Sequence, residues 1–268
     1  IYFIMNKYIS IFFCVQIIAL NLFAMQPKVT PVDYVRPQID THKSRWFFFS
    51  SASRPFGMVS LSPDTWTEGS WNSGYLYNSK EIRCFSHVHC WQLAGVPVMP
   101  TTGEVKGHKG MDAYKSTYSH ETEIVKPGYH KVELDTYQIR VELTSTSRVG
   151  MHRYTYPAGE KANVLFDVGA LLAHGKTEKA AIHRISSKEI GGYSVLAPTS
   201  RRKKPVTVYF VARFNQNMTA FGGWEKEGKE KKLVHKNSIE GADIGGYASF
   251  GKLKKQTLLM KVGISYVS

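Results

Sequence analysis

Between Tyr129 and Pro157, apolar and polar residues alternate with a period of two, and no other feature of the chain limits its fold as tightly. His130, Val132 and Leu134 fall on one side of the first run, and Tyr129, Lys131 and Glu133 on the other. After an Asp135-Thr136 turn, Ile139, Val141 and Leu143 alternate with Arg140 and Glu142, and Met151–Tyr156 starts a third run after Gly150. Side chains of a strand point to opposite faces in turn, whereas a helix repeats its buried face every three or four residues. The segment therefore predicts a meander of antiparallel strands with one face buried and one in water.

Further strand-like runs are Asn163–Asp167, Val195-Leu196, Pro205–Phe214, Ala248–Phe250 and Leu258–Ser268. Gly57–Leu61 reads as a strand that ends at a Ser62-Pro63-Asp64 turn. Residues 26–57 hold four prolines and read as irregular, with short extended pieces at Val32–Pro37 and Trp46–Ser50. Gly191-Gly192 and Gly245-Gly246 read as turns or bulges. The one helix candidate of any length is Lys176–Arg184, and its periodicity is weak. With about a dozen or more strands and little helix, the expected fold is all-β, a large antiparallel β-sandwich. Aromatic residues, 13% of the chain, suit strands and carbohydrate contact.

At the N-terminus, Met5-Asn6-Lys7 and the sixteen-residue apolar run Ile9–Ala24 read as a signal peptide within residues 1–25, with residues 1–4 as upstream read-through. The run is short for a membrane span, which takes about 20 residues. This leaves residues 26–268 as the domain and predicts a secreted or periplasmic protein with no membrane span. Leu258–Ser268 ends as a strand with no polar tail, so the chain reads as cut at a domain boundary.

The net charge of +14 raises a nucleic-acid reading. The basic runs Arg201–Lys204, Lys226–Lys232 and Lys252–Lys255 sit at strand starts or glycine-containing connections. Lysine there keeps sheet edges from pairing with other chains, so the expected partners do not include nucleic acid. Cys84 and Cys90, six residues apart, would stand about 20 Å from each other on an extended strand, beyond disulfide reach.

The chemistry-bearing residues concentrate in Pro63–Gly103. Trp66, Trp71 and Trp91 stand near His87 and His89 there, with small polar groups between them. Aromatic faces cover the C–H patches of a pyranose and polar groups take its hydroxyls. His87 and His89, two apart, would share a strand face and could hold one ion, but no second cluster of matching spacing exists; a structural or substrate-facing role fits them better. Asp64 and Glu68 flank Trp66, yet each also reads as a turn or loop acid rather than a glycosidase carboxylate. There is no nucleophile elbow, phosphate loop or dinucleotide fingerprint. No complete catalytic set is present, so no catalytic residue is assigned.

Several of these segments together resemble the N-terminal domain of glycoside hydrolase family 92. They are Ser62-Pro63-Asp64-Thr65, Gly69-Ser70-Trp71, Ser73-Gly74-Tyr75, Phe85-Ser86-His87-Val88-His89 and Met99-Pro100-Thr101-Thr102-Gly103. Val32–Pro37 and Arg54–Val59 fit the family's start, and Phe221-Gly222-Gly223-Trp224 and Val262–Ser268 its last strands. The resemblance covers roughly residues 30–268 and implies a galactose mutarotase-like supersandwich. It implies an exported, calcium-dependent exo-α-mannosidase whose general acid, base carboxylates and calcium ligands lie in a helical (α/α)6 domain in cis, absent here. Hydrolysis would proceed with inversion on a mannose-containing glycan. This chain would supply the other wall of the sugar pocket, with Trp71 as stacking wall and Trp66, His87, His89 and Trp91 as pocket or interface residues. The alternatives left open are a free-standing carbohydrate-binding module and a basic adhesion or nucleic-acid-binding protein. The chain departs from the common family pattern at Arg36–Thr41, where many members have Asn-Pro-Phe-Ile-Gly-Thr. It departs again at Cys90–Gly95, where many have Leu-Ser-Gly-x-Gly.

Overall fold

Alternation becomes register in the meander, where Val132 faces Val141 and Leu134 faces Ile139 across one pair of strands, and Val141 faces Tyr154 across the next. We describe a computed structural model of the chain, which covers residues 29–42, 52–68, 74–90, 93–170, 175–200 and 202–268. The expected piece at Trp46–Ser50 lies outside the described residues. The chain divides into two units, residues up to Val35 and Arg36–Ser268. In the first, Pro31–Tyr34 is a 3-10 turn rather than the extended piece expected at Val32–Pro37. The Asp33 carboxylate accepts from the Thr30 amide at 2.7 Å and the Thr30 hydroxyl at 2.8 Å, which fixes the turn against an otherwise extended, proline-flanked stretch.

The second unit begins with β1 (Ala52–Ser53), β2 (Ser60–Asp64), β3 (Glu81–Ile82), β4 (Cys84–Ser86), β5 (Val88–Cys90), β6 (Leu93–Gly95) and β7 (Val98–Thr102). A single helical turn, α1 (Met111–Tyr114), precedes β8 (Ser116–Thr117), β9 (Ile124–Lys126), β10 (Tyr129–Leu134), β11 (Ile139–Ser145) and β12 (Val149–Thr155). Then come β13 (Lys161–Phe166), β14 (Thr177–Arg184), β15 (Glu189–Leu196), β16 (Val206–Phe214), β17 (Ala220–Glu227) and β18 (Glu230–Val234). The last three are β19 (Ser238–Gly241), β20 (Gly245–Lys252) and β21 (Thr257–Ser265).

These strands form an eight-stranded antiparallel sheet, β1-β2-β4-β7-β13-β20-β17-β18, and a nine-stranded one, β19-β14-β15-β16-β21-β12-β11-β10-β9. Two-stranded ribbons β3-β8 and β5-β6 complete the unit. The core fills the space between the large sheets: Phe166 of β13 stacks on Phe210 of β16 at 6.0 Å, and Phe214 meets Phe250 at 4.8 Å. This is the expected β-sandwich.

Four local expectations are corrected. Lys176–Arg184 is not helical: β14 pairs with β15 and β19, and Ala180 and Ile182 turn inward. Tertiary pairing overrides the helix preference of its alanines. Pro63 lies inside β2, opposite Phe85, rather than in a turn. It is tolerated because the ladder from β2 to β1 involves only Ser60 and Leu61, leaving the side of Pro63 that lacks an N–H without a required partner. Gly191-Gly192 and Gly245-Gly246 sit within β15 and β20 rather than in turns. A Cβ on Gly192 would lie 2.0 Å from the Ala181 carbonyl oxygen, and one on Gly245 would lie 2.1 Å from the Trp224 ring, so close approach demands glycine at both.

The basic run Lys226–Lys232 forms the β17–β18 hairpin at a sheet edge, where Lys231 pairs with Asp243 at 2.5 Å and Lys232 with Glu227 at 2.7 Å. No described helix is long and apolar enough to cross a membrane.

Candidate functional site

Strand β2 delivers the chain from the sandwich into the aromatic segment. Trp66, two residues beyond Asp64, bridges to Gly74, with Trp66 N donating to Gly74 O at 3.0 Å and Gly74 N to Trp66 O at 2.7 Å. The Thr65 hydroxyl adds a bond from Leu76 N at 2.8 Å. The segment between Trp66 and Gly74, which carries Trp71, is thus tied at its base. Trp71 and Trp91 lie outside the described residues. Trp66 is half-buried, and its indole N–H is buried with no hydrogen-bond partner among the described residues.

His87 and His89 do not share a strand face. His87 falls in the bend between β4 and β5, so the chain turns between them and the two rings diverge. Both are buried. A buried imidazole offers a sugar no surface, so of the two roles expected for this pair, the structural one fits their placement.

His87 lies under β12. Its Nδ1–H donates to Val96 O at 2.7 Å, which leaves Nε2 to accept from His152 Nε2–H at 2.8 Å. His152 Nδ1 in turn accepts from the Tyr154 hydroxyl at 2.8 Å. The chain of donors closes with both imidazoles neutral. Burial lowers the His87 pKa to about 4 and holds that of His152 well below the ordinary imidazole range.

His89 lies under β2. Its Nδ1 stands 2.6 Å from Ser60 O and its Nε2 stands 2.6 Å from Asp64 Oδ1. The Cys84 thiol donates to the other Asp64 oxygen at 3.2 Å. Burial first, then the Asp64 charge, raises that thiol well above its usual pKa, so it stays a donor. Asp64 is fully buried and Glu68 exposed. Asp64 is therefore neither a turn former nor an acid open to a substrate.

A third buried cluster braces the far leg of the Trp66–Gly74 segment and was not read from the sequence. The Tyr75 hydroxyl donates to the Glu123 carboxylate at 2.9 Å, and Gln38 Nε2 to Tyr75 at 3.0 Å. His120 Nδ1 lies 2.6 Å and His130 Nε2 3.0 Å from the same carboxylate. Burial alone would push the Glu123 pKa up, but His130, His120 and Tyr75 outweigh it and hold the carboxyl below its ordinary value. A usable signal did exist: His130 and His152 fall on the inward register of the meander, where a polar residue needs a partner.

An apolar concavity of the described surface holds none of the residues expected at a site. It crosses the outer face of the nine-stranded sheet, about 550 Å³ in volume, over Gly191, Val211 and Gly263 beside Tyr193 and Tyr209. Among the described residues, no three His, Cys, Asp or Glu side chains stand together to hold a metal ion. The buried carboxylates of Asp64 and Glu123 are engaged by protein donors. Among the described residues, neither buried carboxylate is therefore free to hold calcium.

Comparison with known proteins accords with this architecture. The sequence model of the glycosyl hydrolase family 92 N-terminal domain matches residues 34–265. Among solved structures, the chain is similar to a family GH92 alpha-mannosidase from Bacteroides thetaiotaomicron, with 28% identity and a TM-score of 0.78, over 91% of this chain and 34% of that one. A complex of that enzyme with mannoimidazole aligns with 28% identity and a TM-score of 0.76, over 88% of this chain and 32% of that one. A family GH92 inverting mannosidase from Bacteroides thetaiotaomicron VPI-5482 shares the fold at 20% identity and a TM-score of 0.74, over 91% of this chain and 32% of that one. No curated protein sequence matches the chain. The chain spans about a third of the length of these solved relatives. With the family's domain matched from Tyr34 to Ser265 and the sandwich to go with it, the chain belongs to glycosyl hydrolase family 92, as its N-terminal domain.

Proposed function

We propose that this chain is the β-sandwich part of a secreted or periplasmic α-mannosidase that removes terminal α-linked mannose from glycans with inversion. The family match over residues 34–265 carries the reading. In this account a catalytic domain in cis supplies the acid, the base and the calcium, and the sandwich supplies one wall of the pocket. Calcium bound there would hold sugar hydroxyls.

The part this chain plays is positional. Trp71 is the stacking wall, with Trp66 and Trp91 as pocket or interface residues; the buried His87 and His89 act as structural supports. The unpartnered Trp66 indole N–H, at the base of the Trp71 segment, supports this reading, because a sugar hydroxyl is the kind of acceptor it lacks. Export rests on the apolar run Ile9–Ala24.

The test is hydrolysis of an aryl α-mannoside by the 268-residue chain with and without calcium. No turnover is expected in either case. Turnover that disappears in Trp71→Ala would place the chemistry in this chain and overturn the division of labour.

A further inference from the structure

Strand β21 carries a glycine that neither its backbone nor its packing requires. Gly263 pairs with Val211 of β16 on one side and Val149 of β12 on the other, and both ladders pass through it without a bulge. Its φ is not left-handed. A Cβ built on it would come no nearer than 4.0 Å to any residue but its chain neighbours. On Gly192 and Gly245 the same atom would meet its neighbours at 2.0 and 2.1 Å. Glycine inside a strand gives up stability, and where the strand neither bulges nor turns a corner it marks a place that a ligand or another backbone approaches closely. Gly263 alternates with the buried Val262 and Ile264, so the approach comes from outside the sandwich.

The outer face around Gly263 is shaped to receive a segment of chain. Gly191, Val211, Gly263 and Val149 are register partners across four strands and form the floor of the groove. Tyr193 and Tyr209 make one wall, their ring centroids 5.9 Å apart. Val211 and Ile185 stand 46% and 50% exposed, where a covered face would bury them. Along the other side run Glu189, Arg213 and Lys261, again in register, with Arg213 3.6 Å from Glu189. Arg148 lines the groove as well. Three cations against one carboxylate favour an apolar segment with acidic residues beside it.

A source for such a segment follows from the family match. The family's N-terminal domain is matched up to Ser265, a residue of the groove, and the chain spans about a third of the length of its solved relatives. In a whole member of the family the polypeptide therefore leaves the domain at this groove. We propose that the groove over Gly263 seats the polypeptide that follows the sandwich in the whole enzyme. An apolar row of that segment would lie on the floor, with its carboxylates against Arg148, Arg213 and Lys261. The proposal rests on the reading that a catalytic domain follows in cis.

Photo-crosslinking of the whole enzyme tests it, with p-benzoylphenylalanine placed at Val211 and, in a second variant should the first fail to fold, at Ile185. Either position should crosslink within one molecule to residues that follow the sandwich, in a peptide with aliphatic side chains next to Asp or Glu. No crosslink from either position in folded enzyme, a crosslink between two copies, or one to the Ile9–Ala24 run would overturn the proposal. Gly263 gives a second measurement. In the 268-residue chain, Gly263→Ala should raise the folding equilibrium constant about two- to five-fold by urea unfolding, because nothing there needs the glycine. In the whole enzyme, Gly263→Leu should abolish the Ile185 crosslink while the 268-residue Gly263→Leu chain stays folded; a crosslink left intact would overturn the close approach. Aryl α-mannoside turnover by the whole enzyme is scored separately. Turnover without the crosslink removes the groove and keeps the mannosidase, and the crosslink without turnover keeps the groove and removes the mannosidase.

Discussion

Lowering the pH should destabilise the sandwich through two buried histidines, and the size of the effect follows from their environment. His87 and His152 are neutral in the folded chain, with pKa values pushed to about 4 and well below the ordinary range. In the unfolded chain each titrates near 6.5. Between about pH 6.5 and 4 the unfolded state therefore binds more protons, so their stabilising contribution is complete above pH 6.5 and is lost as the pH falls. Each histidine supplies up to about 1.4 kcal/mol per pH unit. Asp167 acts in the opposite sense: burial raises its pKa to about 6, so between roughly pH 4 and 6 the folded state holds a proton that the unfolded state has released. Two histidines less one aspartate leave a net slope of roughly 1.4 kcal/mol per pH unit between pH 5 and 6. Urea unfolding followed by tryptophan fluorescence at several pH values measures it. His152→Leu removes one histidine and should bring the slope near zero, whatever its effect on absolute stability; Asp167→Asn should roughly double it. A flat wild-type profile, or a slope that His152→Leu leaves unchanged, would refute the neutral, buried pair.

Three further outcomes are expected. Gly150→Ala places a Cβ 2.6 Å from His87 Cδ2 and 3.3 Å from Leu61, so it should displace the imidazole from His152 and cost about 2–4 kcal/mol of unfolding free energy. Glu123→Gln should cost about 3 kcal/mol, because it leaves Tyr75, His120 and His130 around a neutral amide. The same change should remove the loss of stability that the wild type shows as pH falls through the lowered Glu123 pKa, below about 4.3. Asp40 holds φ at 65°, in the left-handed region that favours glycine, so Asp40→Gly should raise the unfolding free energy by about 0.5–1 kcal/mol in the same assay.

Much of the fold was readable because β10, β11 and β12 each have one wet face, and a period of two survives only under that condition. Elements held by neighbours rather than by their own pattern were not readable. β14 is a strand because β15 and β19 flank it, and Pro63 is admitted to β2 by the missing partner on one side. The glycine pairs of β15 and β20 answer to a carbonyl oxygen and a tryptophan ring far away in sequence. The candidate site divides along the same line. The tryptophans and histidines stand out by type and spacing, but the bond from His87 to His152 spans 65 residues and that from Tyr75 to Glu123 spans 48. Spacing within Pro63–Gly103 placed His87 and His89 on one face; the bend at His87 sends them to opposite partners.

The proposed mannose-facing wall at Trp71 can be tested on the isolated chain. Saturation-transfer NMR of the 268-residue chain with methyl α-mannoside addresses it directly. If Trp71 forms that wall, weak transfer to the sugar ring protons is expected, with affinity in the roughly millimolar range for half a pocket, abolished in Trp71→Ala and preserved in Tyr209→Ala on the outer sheet face. Transfer that survives Trp71→Ala, or that is equally strong with methyl α-galactoside, would contradict it.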